Sequence, residues 1–272
     1  MISKLPINSR ISELGNIIEG VISAGEKIIE IYETDFSTEK KDDDSPITQA
    51  DIESNKILKN VLEKTGITIL SEEDIDDKKR LSEEKIWIID PLDGTTDFVN
   101  RTGEFTIMVG LVEKHKSVLG LVYWPIKKKM YLAESGKGVF CYDEEWEKIG
   151  VSVMSELQNC QALVSRHHLS EKEKKLLDEM EISVVTSIGS SLKVTEIASG
   201  EAEIYVTTTN KMKQWDTCAS NCIISEAGGK MTDISGKDMI YNTESVNHEN
   251  GILVTNGIIH QDALDAISRL DS

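Results

Sequence analysis

Apolar residues recur at intervals of three and four along two segments near the start of the chain. The first segment runs from Ile11 to Ile31 and the second from Ile52 to Leu62. This spacing gathers apolar side chains on one face of a helix and therefore predicts two amphipathic helices. The polar stretch between them, residues 33–44, has no periodicity and predicts a mobile loop.

Short apolar runs in the next part of the chain predict β-strands. They cover residues 67–70, 86–89, 105–122, 130–133 and 138–141. The longest run contains Gly110 and Gly120 and is typical of a hairpin. The first half of the chain is therefore expected to consist of helices packed on a largely antiparallel sheet.

The pattern changes near Gly150. Strand-like runs at residues 162–165, 183–185 and 202–206 then alternate with helix-like segments at residues 171–180, 190–198 and 216–227. Such alternation predicts an α/β arrangement. We therefore expect two lobes, an α+β lobe over residues 1–150 and an α/β lobe over residues 151–272.

The composition is that of a soluble globular protein. The chain has 272 residues, of which 39% are hydrophobic and 29% charged, and its longest apolar stretches are too short to span a bilayer. The first residues lack the apolar core of a secretion signal. We therefore expect a cytoplasmic protein with no membrane partner.

Charge and cysteine content narrow the possible ligands. The net charge of −18 disfavours binding to nucleic acid, because the phosphate backbone would be repelled. A phosphorylated small ligand would consequently need local cations. The four cysteines form no CxxC pair and have no histidine at zinc-site spacing, which favours reduced, buried thiols over a zinc site.

The segment Asp90-Pro91-Leu92-Asp93-Gly94-Thr95-Thr96 directly follows the apolar run 86–89. A strand thus delivers two carboxylates to its end, where Pro91 fixes the backbone and Gly94 permits close approach of an anion. Carboxylate oxygens suit magnesium, and the amides of Gly94 and Thr95 are placed to hold phosphate oxygens. An Asp-rich hairpin corner is the structural alternative.

Three more acidic residues are candidate partners. Asp216 stands where a helix N-cap belongs, Glu72 follows a strand-like run, and Asp51 lies in the second helix. Each also fits a plain structural role, as a cap, a solvated loop charge or an exposed helix position. If Asp216 lies across a cleft from Asp90, the gathered carboxylates would repel one another and require cations.

Spacing separates this motif from other catalytic motifs. Asp90 and Asp93 are three residues apart, whereas phosphatases with an aspartate nucleophile use Asp-x-Asp-Gly-Thr. No GxxxxGK[ST] phosphate loop is present, and Ser165 does not lie in a GxSxG motif. Because no protein nucleophile stands out, an activated water is favoured, and the hydroxyl of Thr95 is placed to order it.

Three motifs together resemble the signatures of the lithium-sensitive, magnesium-dependent inositol monophosphatase superfamily. They are Ser71-Glu72-Glu73, Asp90 to Thr95, and Trp215-Asp216 with Glu226-Ala227-Gly228-Gly229. Segments 45–51, 103–106, 164–168 and 213–219 are most similar to its CysQ-like branch, the 3'(2'),5'-bisphosphate nucleotidases. The resemblance extends from about residue 45 to residue 236 and implies a layered αβαβα sandwich of the inositol monophosphatase/fructose-1,6-bisphosphatase type, with the site between two lobes.

The resemblance also implies roles for individual residues. Two or three Mg²⁺ ions would be held by Glu72, Asp90, the Leu92 carbonyl, Asp93 and Asp216, with Asp51 and Thr95 polarising the attacking water. The substrate contacts would be Gly94, Thr95, Ser165, His168, Gly189, Ser190 and Lys193. Of these, Lys193 would face a non-reacting phosphate, and Arg166 and Lys213 are further cations.

The function implied is removal of the 3'-phosphate of adenosine 3',5'-bisphosphate, a by-product of sulfate assimilation and sulfotransfer, with 3'-phosphoadenylyl sulfate as a further substrate. Thr96-Asp97 departs from the Lys-Glu common in CysQ proteins and keeps inositol monophosphate or fructose bisphosphate hydrolysis open. A non-catalytic, metal-dependent nucleotide sensor is the alternative of another class. The resemblance further implies inhibition by lithium, and the chain is expected to be a monomer or homodimer.

Overall fold

Two β-sheets and most of the helices form the layers of the fold. The computed structural model describes residues 4–40, 46–167 and 169–270. Within these ranges the helices are α1 Leu14–Tyr32, α2 Gln49–Leu62, α3 Thr95–Val99, α4 Glu171–Glu179, α5 Leu192–Ala198, α6 Cys218–Glu226 and α7 His260–Leu270. None of them combines the length and apolar content that crossing a bilayer requires.

The strands fall into a large sheet, a small sheet and one short pair. The pair is β1 Thr38–Lys40 with β2 Pro46–Thr48. The large sheet contains β3 Thr68–Ser71, β4 Lys85–Asp93, β5 Thr106–Glu113, β6 Lys116–Trp124, β7 Lys129–Glu134, β8 Gly138–Asp143 and β9 Glu145–Lys148. The small sheet contains β10 Gln161–Ser165, β11 Val184–Ile188, β12 Ile204–Thr207, β13 Lys230–Thr232 and β14 Ile252–Thr255.

Strand direction differs between the two sheets. The large sheet runs in sequence order from β3 to β9, with only β3 and β4 parallel, so the expectation of a largely antiparallel sheet is confirmed. The small sheet has the order β11-β10-β12-β14-β13. Its first three strands are parallel, whereas β14 is antiparallel to both neighbours.

Three apolar cores separate the layers. Along β4, Trp87 and Ile89 pack on the side of α1 and α2, while Ile86 and Ile88 pack on the side of α5 and α6. The opposite face of this middle layer is covered by the small sheet, whose outer face packs on α4 and α7. Because strand side chains alternate between faces, each sheet separates two cores. The order αβαβα is the one that the resemblance implied.

Two facing glycines bring α6 close to the large sheet. Gly110 of β5 pairs with Gly120 of β6. A Cβ on Gly120 would lie 2.1 Å from the carbonyl oxygen of Ala219, and one on Gly110 would lie 2.5 Å from Cys218 Sγ. Only glycine permits this approach, and it seats Cys218 and Ala219, the first residues of α6, against the sheet two residues after Asp216.

Some sequence expectations need correction. Residues 38–40, expected to be loop, form β1 and pair with β2, because strand pairing satisfies the backbone without an apolar period. Residues 41–45 lie outside the described residues. The elements β9, β13, β14 and α7 were not among those predicted. The division into lobes at residue 150 stays a prediction.

Candidate active site

Asp90 and Asp93 lie at the end of β4, where a β-bulge changes its register with β5. Asp90 pairs with Met108 and Asp93 pairs with Thr106, so three steps along β4 match two along β5. Residues two apart on β5 face the same side of the sheet. The extra residue in β4 therefore turns both carboxylates toward the layer of α5 and α6.

Glu72 reaches the same place from the neighbouring strand. β3 and β4 are parallel, and Ser71 pairs with Ile89. The amide of Glu72 donates to the carbonyl of Ile89 at 3.2 Å, which continues the pairing beyond β3. Because parallel strands end at the same edge of a sheet, Glu72 is placed beside Asp90.

Asp216 arrives from the opposite layer, but not as the helix cap that its sequence context predicts. It ends a 3₁₀ turn, Gln214–Asp216, and its Oδ2 accepts a hydrogen bond from the amide of Lys213 at 2.7 Å. The residue at the N-cap of α6 is Thr217. The capping prediction is therefore wrong, because the carboxylate closes its own turn rather than the first turn of α6.

These residues form an acidic cluster. Carboxylate oxygens of Glu72, Asp90 and Asp216 lie within 4.8 Å of one another. Burial raises the pKa of Asp90 well above its usual range, and the charges of Glu72 and Asp93 raise it further. The pKa of Asp216 is raised first by burial and then by the same two neighbours.

The cluster fits a hard divalent cation. Its donor atoms are all carboxylate oxygens, and their mutual repulsion in a buried setting would be relieved by a positive ion. Asp93 borders this group, and burial raises its pKa against the opposing effect of Lys193. Its Oδ2 accepts hydrogen bonds from the amide of Ser191 and the hydroxyl of Thr106.

Asp51 and Thr95 form a hydrogen-bonded pair beside the cluster. The Thr95 hydroxyl is 3.0 Å from Asp51 Oδ1 and 3.2 Å from the Leu92 carbonyl oxygen. Asp51 Oδ2 accepts from the amide of Thr48 at 2.8 Å and from its hydroxyl at 2.7 Å. Asp51 is therefore buried and fixed, unlike an exposed helix position.

Lys193 supplies a buried positive charge near the acids. Its Nζ donates to the Ser190 carbonyl at 2.6 Å and lies 5.2 Å from the centre of the Tyr205 ring. Burial lowers the pKa of this ammonium group, while Asp93 and other nearby acids oppose that effect. Among the described residues, no carboxylate oxygen lies within 4.0 Å of Nζ, the distance that defines an ion pair.

Arg166, by contrast, is already paired. Its Nη2 is 2.6 Å from Glu104 Oε1, and its Nε is 3.5 Å from Asp97 Oδ1. Glu104 also accepts from the amide of Gly189 at 2.6 Å. This places Arg166 in a compensated ion pair rather than among the cations open to a ligand.

One cavity of about 560 Å³ connects these groups. Predicted site residues at its wall are Glu72, Asp90, Leu92, Asp93, Gly94, Thr95, Ser165, Gly189, Ser190, Lys193 and Asp216. His168 lies outside the described residues. Asp51 contacts the cavity through Thr95. The structure thus brings the remaining candidates together, and their roles stay predictions.

Sequence reasoning missed several residues that hold the site. They include Ser54, whose hydroxyl donates to the Pro91 carbonyl at 2.7 Å, together with Glu104, Thr106 and Ser191. Thr106 and Ser191 are polar residues at the start of an apolar strand or helix, and this position was the only local sign of a role in holding the site. Their partners could not be read from a single chain.

Comparison with known proteins identifies the family. A profile of the Inositol monophosphatase family matches residues 12–270. The chain belongs to the inositol monophosphatase family. The resemblance inferred from the three motifs is thereby confirmed; metal dependence and lithium sensitivity are typical of this family.

Relatives within this family indicate the branch. The chain is 36% identical over 228 residues to the 3'(2'),5'-bisphosphate nucleotidase CysQ of Salmonella typhimurium, covering 80% of this chain and 89% of that protein. The crystal structure of CysQ from Bacteroides thetaiotaomicron has a TM-score of 0.80 and 29% identity, covering 91% and 98% of the two chains. The suppressor protein SuhB of Bartonella henselae gives 0.81 and 26%, covering 95% and 99%. These inositol monophosphatase family structures confirm the predicted fold class.

Proposed function

We propose that this protein is a magnesium-dependent phosphatase that removes the 3'-phosphate of adenosine 3',5'-bisphosphate to give AMP and phosphate. Similarity to proteins named CysQ supports a nucleotidase, and 3'-phosphoadenylyl sulfate is a related candidate substrate. The carrying observation is that Lys193 and the acidic cluster border the same cavity. A bisphosphate needs one site for the reacting phosphate and a second for the other anion.

Lys193 is the best candidate for that second site. Lys193 is 7% exposed and its ammonium group is hydrogen bonded to main-chain carbonyls, whereas Arg166 is paired with Glu104. A substrate phosphate could therefore bind the Lys193 ammonium group without displacing a carboxylate of the described residues. The cavity volume, about 560 Å³, lies in the range of small-ligand sites and leaves room for a nucleoside.

The acidic residues Glu72, Asp90, Asp93 and Asp216, with the Leu92 carbonyl, would hold two or three Mg²⁺ ions. Bound magnesium would lower the pKa of water and offset negative charge on the leaving oxygen. The protein's own contribution is to bind the substrate anion and to hold the acids together. No protein nucleophile is needed for a water to form the new P–O bond as the P–O3' bond breaks.

Thr95 and Asp51 provide a path for the water's proton. Thr95 Oγ1 accepts a proton from the attacking water while passing its own to Asp51 Oδ1, 3.0 Å away. Asp51 Oδ2 already accepts two hydrogen bonds from Thr48, and this leaves Oδ1 facing Thr95. The leaving ribose oxygen takes up a proton from solvent, and the products are AMP and inorganic phosphate.

Initial rates on four substrates test this function. Adenosine 3',5'-bisphosphate, 3'-AMP, inositol 1-phosphate and fructose 1,6-bisphosphate are compared at saturating Mg²⁺. We expect the highest kcat/KM for the adenosine bisphosphate and a clear loss with 3'-AMP, which lacks the second anion. A preference for inositol phosphate of about tenfold, equivalent to about 1.4 kcal/mol, would reject the proposal.

Inositol monophosphate or fructose bisphosphate hydrolysis is the second candidate. The feature that favours it is Thr96-Asp97 in place of the Lys-Glu common in CysQ proteins. Asp97 is buried and accepts from the Thr102 hydroxyl at 2.8 Å. A non-catalytic nucleotide sensor would bind the bisphosphate in magnesium without releasing phosphate. In that case Asp93→Asn would change nucleotide affinity while the wild type showed no turnover to lose.

A further inference from the structure

The segment that carries Glu72 is tied to the rest of the protein through a buried arginine. Arg80 lies in a 3₁₀ turn, Lys79–Ser82, and is 2% exposed. Its Nε and Nη2 donate to the two carboxylate oxygens of Asp76 at 3.1 and 2.9 Å. This bidentate contact fixes the loop that begins at Glu72.

The other side of Arg80 contacts a distant part of the chain. Nη1 donates to Asn242 Oδ1 and to the Thr243 carbonyl, both at 3.0 Å. Asn242 Nδ2 returns the contact by donating to the carbonyls of Arg80 and Glu83, at 3.0 and 2.9 Å. The Arg80 side chain thus binds the Asn242 side chain, and the Asn242 side chain in turn binds the main chain of Arg80.

Asn242 continues the connection to the turn that bears Asp216. The main-chain amide of Asn242 donates to Gln214 Oε1 at 2.7 Å. Gln214 Nε2 donates to the Thr243 hydroxyl at 2.7 Å, and the residue itself begins the Gln214–Asp216 turn. Arg80, Asn242 and Gln214, here called the brace, therefore join the Glu72 loop to the Asp216 turn.

We propose that the brace is a positioning device for the metal centre. Glu72 and Asp216 come from different layers, and their carboxylates repel each other when no cation is bound. A rigid link between their two segments limits how far they separate and so favours metal binding. This inference rests on the proposed function, because it needs a divalent cation at the acidic cluster.

The geometry favours a coupling role over simple anchoring of the loop. On its other side the Glu72 loop is already held by α2, since Asn55 and Lys59 contact the two oxygens of Asp74 at 3.0 and 2.6 Å. The brace adds the connection toward Asp216. Residues hydrogen bonded to metal ligands commonly change metal affinity by about 10–100-fold when replaced. The brace acts one step further out, through the segments that carry Glu72 and Asp216.

Two variants remove the brace by different routes. Arg80→Met deletes the guanidinium and its four hydrogen bonds. Asn242→Gly removes the Asn242 side chain while keeping the amide that donates to Gln214, and the φ of 55° at this position suits glycine. The control is Arg10→Met, because Arg10 binds buried Glu134 and the Ser135 carbonyl through its own guanidinium without contacting either ligand segment.

The readout is Mn²⁺ affinity of the substrate-free protein, measured by electron paramagnetic resonance, with thermal unfolding recorded in parallel. We expect Kd for Mn²⁺ to rise about tenfold in Arg80→Met and severalfold in Asn242→Gly, while Arg10→Met stays within about twofold of wild type. At saturating Mg²⁺, kcat of the brace variants should return close to that of wild type.

Unchanged Mn²⁺ affinity in both brace variants, with a lower Tm, would overturn the proposal and leave a purely structural role. If Arg80→Met does not fold, Asn242→Gly decides alone. A wild type that binds no Mn²⁺ would refute the metal centre itself and the brace with it. A wild type that binds Mn²⁺ normally yet prefers another substrate would reject only the proposed nucleotidase activity.

Discussion

The hydroxyl of Thr95 donates to Oδ1 of Asp51 at 3.0 Å, although 44 residues separate the two in the chain. The pair spans the junction between α2 and the turn after β4. Because Asp51 is also the acceptor for both donors of Thr48, its orientation is fixed before any substrate binds. In the proposed mechanism, Thr95 is the side chain through which Asp51 would act on the attacking water.

Replacing Thr95 by valine should remove the proton path while preserving the shape of the side chain. We expect kcat to fall by about 10²–10⁴-fold, the usual contribution of a positioned acid or base. Mn²⁺ affinity should change little, because the carboxylates remain. Thr95→Ser should retain most activity, and Thr96→Val serves as the neighbouring control. A Thr95→Val enzyme with wild-type kcat would contradict the proposed role.

Replacing Lys193 by methionine should affect substrates with two anions selectively. Loss of a charge-assisted contact, about 1.5–3 kcal/mol, predicts a drop of about 10–100-fold in kcat/KM for adenosine 3',5'-bisphosphate. The value for 3'-AMP should change less than about threefold. Arg166→Met is the matched control, since Arg166 is paired with Glu104. An equal loss on both nucleotides would indicate that Lys193 acts on folding or on the reacting phosphate.

Much of the site could be predicted from the sequence because its acids lie in short local motifs. Glu72 follows a strand and Asp90 ends one, and both positions are visible in the apolar pattern. The orientation of Asp93 could not be predicted, since it depends on one extra residue in β4 opposite β5. A regular strand would have sent Asp90 and Asp93 to opposite faces.

The same limit applies to residues that act over long separations. Asp216 resembled an N-cap because an apolar helix follows it, yet its carboxylate bonds to Lys213 within its own turn. Nothing in the local sequence singles out Arg80, and its partner Asn242 is 162 positions away. Local pattern determines which elements form, whereas tertiary packing decides which polar groups meet.

The acidic cluster should make stability of the metal-free protein depend on pH. The pKa of Asp90 is raised in the folded state, first by burial and then by Glu72. The unfolded chain loses this proton at a pH of about 4, whereas the folded protein keeps it to higher pH. The free energy of unfolding therefore decreases as pH rises from about 4 to the raised pKa of folded Asp90. Asp90→Asn, which stays neutral, should be more stable than wild type at pH 8 in EDTA but not at pH 4.

Thermal unfolding measures this effect. We expect Asp90→Asn to raise Tm by about 2–4 °C at pH 8 without metal, which corresponds to about 1 kcal/mol. Added Mg²⁺ should stabilise the wild type and reverse the order. Asp77→Asn is the control, because Asp77 is an exposed partner of Lys79. A wild type whose Tm is insensitive to Mg²⁺ would argue against a metal centre at this cluster.

The space around Gly120 and Gly15 predicts opposite effects for two glycine-to-alanine substitutions. In Gly120→Ala the new Cβ would lie 2.1 Å from the carbonyl oxygen of Ala219, so α6 and the adjoining Asp216 turn must shift. We expect a loss of about 1–3 kcal/mol in unfolding free energy, together with weaker Mn²⁺ binding. Gly15 of α1 has no atom within 4 Å of such a Cβ, and Gly15→Ala should raise stability by up to about 1 kcal/mol. Urea unfolding of both variants compares them directly, and a Gly120→Ala protein as stable as wild type would show that α6 does not pack as described.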